Sequence, residues 1–532
     1  MKNNFTKILL ISILALALFL RVYKLESVPP SISWDEAAVG YNGFTIASFG
    51  RDGYGKFFPF FFRSFADDKH PIHVYITALS VKLLGLSEFS VRFPAAVFGV
   101  LNVGLIFLLA RVLFKSTYLG LIASFFLAIS PYNLHFSHFN HEANFALFFF
   151  MLGLTLFYYS IKEQGYLLPL SALSFALCFI TYHPSKIIVP LTLILLVVLY
   201  ARQLKRNKKG LLVSLAIGLL FLLLIISNPQ LLGIARINQT SQGSKEVEKT
   251  RLFQLTHNQL FGRVGLVATQ YSWHFSPQFL FISGDKNPRL SSQSVGEFYK
   301  LDALFLILGM LYLLVRRTRE SFLLLGLALI APLPSSMVAD APHAGRAMFM
   351  MGSWHIIAAA GFYSLVTIFK KSLFRWGIII LCLSLLTFSL KDYLIYYYGE
   401  YTKRYAIEWQ YGMKQIVEFV KQNPQYGQVF VTDARSQPYI FFLYYLNTPL
   451  QDYLNTVIYN NSKSRSDNNV LTFNKYYFGG WDPIEILPNN EVLYIITPSQ
   501  YDGLRHKLSF DVKKIIYYPN DAAAYYIVSA KP

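Results

Sequence analysis

Apolar runs recur along this chain with short polar breaks between them. They fall near residues 8–20, 89–113, 117–130, 142–160, 166–181, 185–201, 210–228, 301–315, 320–336, 347–369 and 374–391. That pattern predicts about eleven transmembrane helices. The first run follows Lys2 and Lys7 and precedes Arg21. No small-x-small cleavage site follows it, so it reads as a signal-anchor helix and not as a removed leader.

Residues 22–88 and 229–300 are too polar to span. Within the first, Ile72, Tyr75, Ile76, Leu79 and Leu83 recur at helical spacing, His73, Thr77 and Ser80 take another face, and Gly85 can end the helix. This predicts a helix lying along the membrane interface, with 37–49 a weaker candidate of the same kind. After residue 390 the pattern changes. Tyr393, Tyr396, Tyr397, Tyr398, Tyr401 and Tyr405 suit an interfacial aromatic belt. Helical periodicity over 409–421 and 438–446 then alternates with strand-like runs at 428–432 and 491–497, which predicts a small α/β domain. The expected division is a membrane domain over 1–390, with outer loops 22–88 and 229–300, and an extracytoplasmic domain over 391–532.

Composition agrees with the class. Of 532 residues, 54% are hydrophobic and only 14% charged, too apolar for an ordinary soluble chain. The net charge of +19 raises nucleic acid as a partner. Its excess, however, lies in short clusters between apolar runs, such as Arg202–Lys209 and Arg316–Arg319, with no contiguous basic face. With the N-terminus cytoplasmic, the dense basic clusters all fall inside, and the loops 131–141 and 181–184, which lack Lys and Arg, fall outside. The expected location is a cell (plasma or inner) membrane, crossed many times. Cys178 and Cys382 sit inside apolar runs and read as buried small hydrophobes, with no disulfide framework or zinc spacing.

Charged residues avoid the spans and gather in the outer loops, where Asp35 and Glu36 form the leading pair. Ser33-x-x-Glu36 is a capping box, so Glu36 has a structural reading beside a catalytic one. Asp35 in the first turn would suit the helix dipole or serve as a base. Asp67-Asp68-Lys69-His70-Pro71 is either a solvated loop ahead of a helix-opening proline or a place where Lys69 neutralises a phosphate. His343 and Arg346 flank the mouth of a span, where Arg can snorkel or grip phosphate oxygens in a fork. His138 and Glu142 lie in another outer loop, and the histidines there match no zinc spacing.

These stretches resemble a known arrangement. Trp34-Asp35-Glu36 follows the first span, and Lys69-His70-Pro71 opens an interfacial helix. Glu88-Phe89-Ser90-Val91-Arg92-Phe93-Pro94 enters the second span, and Ser130-Pro131 follows the third. Phe275-Ser276-Pro277-Gln278-Phe279, Gly284-Asp285, Asn287-Pro288-Arg289 and Pro342-His343-Ala344-Gly345-Arg346 complete the series. In this order they resemble the integral-membrane glycosyltransferases of the protein-O-mannosyltransferase-like (GT-C) superfamily, which includes the lipid A aminoarabinose transferase. The chain departs from the common pattern where Lys-Pro-Pro is replaced by Lys69-His70-Pro71, and where His138 and Glu142 stand in place of Arg or Asp.

The resemblance implies a GT-C type fold and an inverting transfer of sugar from a polyprenyl-phosphate donor to an envelope acceptor (protein, lipid or glycan) at the outer face. It implies Asp35 as base, with Glu36 beside it. Lys69, Asp68, His343, Arg346, Glu142 and His138 would bind the donor and its lipid phosphate. A divalent cation, if one takes part, would sit on Asp35; nothing in the sequence requires it. The competing expectation is a transporter or flippase of a lipid-linked substrate, which would call for charges near the bilayer midplane or an internal repeat; neither is visible.

Overall fold

The computed structural model describes residues 2–65, 68–162, 165–232, 244–460, 468–480 and 489–531. Among them, seven helices are long and apolar enough to cross a membrane: Asn4–Val22, Glu88–Phe114, Glu142–Lys162, Ser185–Arg206, Lys208–Ser227, Met350–Ile368 and Ser372–Arg404. An eighth arises if Thr117–Ile129 and Pro131–Ser137, bent by 57°, form one broken span. The other expected spans are also helices, but only 12 to 15 residues long: Leu167–Phe179, Asp302–Arg316 and Arg319–Ile330. At 1.5 Å per residue each covers roughly 18–23 Å, less than a full hydrocarbon core of about 30 Å. The chain is thus an α-helical polytopic protein with a C-terminal sheet domain. It divides into two compact units, Met1–Tyr23 with Ala95–Tyr396, and Lys24–Pro94 with Tyr397–Pro532. Most of the expected outer loop 22–88 and most of the expected domain 391–532 therefore fall in one unit.

The first unit is a helical bundle. Asp302–Arg316 and Met350–Ile368 touch backbone to backbone: a Cβ at Gly361 would collide with the Phe305 carbonyl oxygen, and one at Gly309 with that of Ile357. Small residues permit this approach, which gives apolar helices dispersion contact without a hydrophobic driving force. At the bend beside Ser130-Pro131 the helix ladder is broken, because proline has no N–H to give. The buried Arg21 guanidinium takes up the freed groups. It donates to the carbonyls of Leu127 (3.1 Å) and Ala128 (3.1 Å) and to Asn133 Oδ1 (2.6 Å), tying the first helix to the bend.

The second unit is built on a seven-stranded sheet among the described residues, in the order Ile458–Tyr459, Val470–Phe473, Tyr476–Gly479, Gln428–Thr432, Val492–Ile496, Ala523–Ala530, Phe510–Tyr517. Gln428–Thr432 pairs in parallel with both its neighbours, and the remaining pairings are antiparallel. Val492–Ile496 is buried at every position, as a strand covered on both faces must be. The helices Met413–Gln422 and Tyr439–Tyr445 cover one face through Ile416, Val417, Val420, Phe441 and Phe442. Ala37, Ala38 and Tyr41 of the helix Trp34–Phe49 belong to the same core. The sheet and its covering helices are therefore what hold the Asp35 helix in place.

Helix Pro71–Leu84 packs on Trp34–Phe49, and a Cβ at Gly43 would lie 3.3 Å from the Ala78 nitrogen. Its packed face mixes polar and apolar side chains, with Val74, Ala78 and Val81 buried beside the polar ones. His73, Thr77 and Ser80 are buried, whereas Leu79 and Leu83 are 59% and 73% exposed. An apolar face left uncovered beside a partly polar face packed into protein is the arrangement expected of a helix lying against lipid.

Candidate active site

In the second unit the capping box forms as the sequence predicts. The Glu36 N–H donates to Ser33 Oγ at 3.3 Å, and the Ser33 N–H donates to Glu36 Oε2 at 3.1 Å. Consecutive helical residues project about 100° apart, so the two carboxylates part company. Glu36 turns inward and is fully buried, with Oε1 3.0 Å from Arg92 Nε and Oε2 3.3 Å from Arg92 Nη2. Arg92, also fully buried, donates further to the carbonyls of Leu25 (3.1 Å), Pro29 (2.9 Å) and Ser31 (2.6 Å). The pair thus clamps the segment that leads into the helix. Buried charges of this kind hold only when their remaining hydrogen-bonding groups are satisfied, as they are here.

Asp35 turns the other way and is 38% exposed, with Oδ1 3.2 Å from Lys69 Nζ. Lys69 is held in a two-residue strand, Asp68–Lys69, that pairs with Phe62–Arg63; there Asp68 stands opposite Arg63. Pro71 then starts the next helix. Asp67 lies outside the described residues. Asp35 and Lys69, 34 positions apart in the chain, therefore meet at the rim of one rigid frame.

In the first unit a second polar group assembles. Arg346 Nη1 lies 2.7 Å from Asp340 Oδ1, and His343 Nε2 lies 3.9 Å from Asp340 Oδ2. His343 Nδ1 accepts the Arg346 N–H at 3.2 Å, which leaves the proton of a neutral ring on Nε2, facing Asp340. Burial, followed by the Arg346 charge, holds the His343 pKa well below the usual histidine range. Burial pushes Asp340 up, but Arg346 and His343 outweigh it and hold the carboxyl down. His141, 3.9 Å from Glu142 Oε2, acts on His343 as a neighbouring charge and packs edge-on to Tyr182. Glu142, His343 and Arg346 thus share one neighbourhood through His141. His138 is turned into backbone, with Nδ1 2.8 Å from the Leu134 carbonyl and Nε2 3.4 Å from that of Tyr23.

The segment that carries His343 and Arg346 is fastened from both sides. The buried Asp285 accepts the Ala344 N–H at 2.6 Å through Oδ2 and the Asn287 N–H at 2.8 Å through Oδ1. Tyr132 donates its hydroxyl to the Ala344 carbonyl. Burial pushes the Asp285 carboxyl up to about 6, and burial with Asp285 nearby pushes Glu297 well above the usual carboxylate range. The sequence reading used Asp285 and Arg92 only as parts of motifs and gave neither a task. The signal was available for Arg92: a guanidinium in the first turn of an apolar span requires a partner.

A divalent cation on Asp35 would have to share its carboxylate with Lys69. Among the described residues, no group of three or more His, Cys, Asp or Glu side chains is placed to hold a metal.

Residues 68–227 match the family model described as dolichyl-phosphate-mannose-protein mannosyltransferase. No curated protein sequence matches the chain. Solved structures are similar across almost its whole length. ArnT from Cupriavidus metallidurans in the apo state superposes with a TM-score of 0.59 at 14% identity, covering 100% of both chains. The same protein bound to undecaprenyl phosphate gives 0.56 at 14%, covering 98% of this chain and 99% of that one. The Archaeoglobus fulgidus oligosaccharyltransferase tethered to an acceptor peptide gives 0.53 at 15%, covering 98% and 74%. The chain has the fold of the GT-C glycosyltransferases and, over residues 68–227, the sequence pattern of the dolichyl-phosphate-mannose-protein mannosyltransferase family.

Proposed function

We propose that this chain is an inverting glycosyltransferase that moves a sugar from a polyprenyl-phosphate donor to an envelope acceptor at the outer face of a cell membrane, with its N-terminus cytoplasmic. The observation that carries this reading is the Asp35–Lys69 pair, a carboxylate and an ammonium fixed 3.2 Å apart at a capped helix start. The fold supports a lipid-phosphate donor, since ArnT has been solved with undecaprenyl phosphate and the archaeal oligosaccharyltransferase with an acceptor peptide.

The chemistry needs few parts. The acceptor oxygen attacks the anomeric carbon and forms the new glycosidic bond as the bond from that carbon to the phosphate oxygen breaks. Asp35 takes the hydroxyl proton. Lys69 offsets the charge that develops on the departing lipid phosphate. A phosphate bound at Lys69 draws the ammonium away from Asp35 and leaves the carboxylate to act as base. No general acid is required, because a phosphate leaves as an anion; glycoside hydrolysis, in contrast, uses two separated carboxylates. Within the second unit Glu36 is assigned to holding the helix start and Asp68 to framing its loop; within the first unit Arg346, His343 and Glu142 make a polar group suited to a phosphate or sugar headgroup, and His138 frames its loop.

The test is transfer of radiolabelled sugar from a polyprenyl-phosphate donor by the purified chain in nanodiscs. Asp35→Asn should lower transfer about 10²–10⁴-fold. Normal transfer by Asp35→Asn would remove Asp35 as base, and no transfer by wild type to any envelope fraction would remove the function itself.

A further inference from the structure

Loop 51–61, Arg-Asp-Gly-Tyr-Gly-Lys-Phe-Phe-Pro-Phe-Phe, has no part in the chemistry above, yet it is closely built. The buried Asp52 carboxylate accepts the N–H groups of Tyr54 (3.0 Å) and Lys56 (2.8 Å), and the Asp52 N–H donates to the Lys56 carbonyl. The Gly53 N–H donates to Asn42 Oδ1 at 2.9 Å, fixing the loop to helix Trp34–Phe49. Tyr75 donates its hydroxyl to the Pro59 carbonyl at 2.8 Å, fixing it to helix Pro71–Leu84. Phe58 sits at φ 33°, a left-handed conformation that a bulky residue adopts only under constraint. Gly50, at φ 66°, makes room, since a Cβ there would lie 2.9 Å from the Phe58 ring.

What this scaffold displays is apolar. Phe57, Phe58 and Phe60 are 65%, 52% and 53% exposed, and Leu79 and Leu83 of the neighbouring helix are exposed as well. A soluble surface rarely spends ordered backbone on showing three adjacent aromatic rings to water. Cations rim the patch. Arg51 lies 5.8 Å from the Phe57 ring centroid, Lys56 Nζ lies 4.3 Å from that of Phe61, and Arg63 lies 5.0 Å from that of Tyr54. Rings flanked by Lys and Arg match a bilayer surface, where aromatics settle at headgroup depth and cations meet lipid phosphates.

We propose that loop 51–61 is an aromatic finger that inserts into the headgroup layer of an anionic membrane. Phe57, Phe58 and Phe60 supply the apolar tip, and Arg51, Lys56 and Arg63 supply the phosphate contacts. Its occupant is the lipid leaflet, and the exposed Leu79–Leu83 face extends the same surface.

The test uses the full chain in nanodiscs, with the buried Cys178 and Cys382 changed to Ala. Spin labels are placed at Phe57→Cys, Phe60→Cys and, as an exposed control on the same unit, Asn520→Cys. In bilayers containing anionic phospholipid, labels at 57 and 60 should collide readily with oxygen and at least fivefold less with a water-soluble nickel chelate than the label at 520. Nickel access equal to that at 520 would overturn the proposal, because the loop would then stand in water. Shielding from both reagents would overturn it in favour of a protein cover. Replacing the anionic lipid with a zwitterionic one should raise nickel access at 57 and 60; indifference to lipid charge would remove the role of the three cations. Because the readout does not depend on activity, its failure is distinct from failure of the transferase reading.

Discussion

Lys69 Nζ rests 3.2 Å from Asp35 Oδ1; the Asp35 helix is anchored in the core of the second unit, and the strand paired with that of Lys69 packs on the same helix through Phe62, beside Val39 and Ile46. The pairing assigns Lys69 to the phosphate side of the reaction. Lys69→Ala should lower kcat for sugar transfer about 10²–10³-fold, whereas Lys69→Arg, which keeps the charge, should lose less. Steady-state kinetics with varied donor concentration provide the check, and equal losses for the two variants would count against a charge-based role.

The buried Glu36–Arg92 pair predicts a stability effect and not a catalytic one. Arg92→Leu or Glu36→Gln leaves its former partner unpaired, at a cost of about 3–5 kcal/mol for the broken pair. The double change Glu36→Met, Arg92→Met should recover part of that loss, but not all, because the carbonyls of Leu25, Pro29 and Ser31 still lose their donor. Thermal unfolding in detergent measures this. Below its melting temperature, Glu36→Gln should retain transfer activity, which separates a positioning carboxylate from a base.

Asp285 predicts a pH dependence. Burial raises its folded pKa to about 6 from an ordinary value of 3.8. A carboxyl whose folded pKa is raised favours folding while protonated, so its contribution is complete below about pH 4 and is lost as pH rises through about 6. The difference is on the order of 3 kcal/mol. Asp285→Asn should remove this falling component, and the difference between the wild-type and variant melting curves over pH 4–7 isolates it.

The contact between helices Asp302–Arg316 and Met350–Ile368 predicts intolerance to a single methyl. Gly361→Ala places a carbon against the Phe305 carbonyl and Gly309→Ala one against that of Ile357, so each must push the helices apart. A loss of about 1–3 kcal/mol is expected for such overpacking. Thermal unfolding and folded yield after solubilisation report it, with Gly377→Ala, where nothing lies within 4 Å of the added carbon, as the neutral control.

Much of this organisation was legible because it rests on local rules. The capping box at Ser33 and Glu36, the proline opening the helix after His70, and the strand at Gln428–Thr432 each follow from neighbouring residues, and each forms where expected. The periodicity of Ile72 to Leu83 marked the less buried face of its helix, with Leu79 and Leu83 exposed and Ile72, Tyr75 and Ile76 half-buried. What pattern could not supply was pairing at a distance. Phe510–Tyr517 and Ala523–Ala530 lack the strict alternation that marks a half-buried strand; they become strands by pairing with each other, and Ala523–Ala530 also with Val492–Ile496. The partnership of Glu36 with Arg92 and the hold of Asp285 on the Ala344 amide depend on tertiary proximity, which no spacing rule encodes. Hydropathy located the apolar helices, including the short ones at Leu167–Phe179, Asp302–Arg316 and Arg319–Ile330, but it registers apolar content alone and could not foresee that the chain resumes as a short helix, Pro131–Ser137, bent by 57° from Thr117–Ile129.

The buried ion pair also has an order in time. Glu36 precedes Arg92 by 56 residues, so during synthesis the carboxylate has already been made when the guanidinium emerges. The helix Glu88–Phe114 carries that arginine in its first turns, and a bilayer resists an unneutralised charge there. The chain meets the difficulty by sequence order: the counter-charge is laid down first, on a segment that has only to wait for its helix to arrive. A chain made without Glu36 would bring the same guanidinium to the bilayer with backbone carbonyls but no counter-charge to meet it, so the loss would bear on the entry of that helix as well as on the folded state.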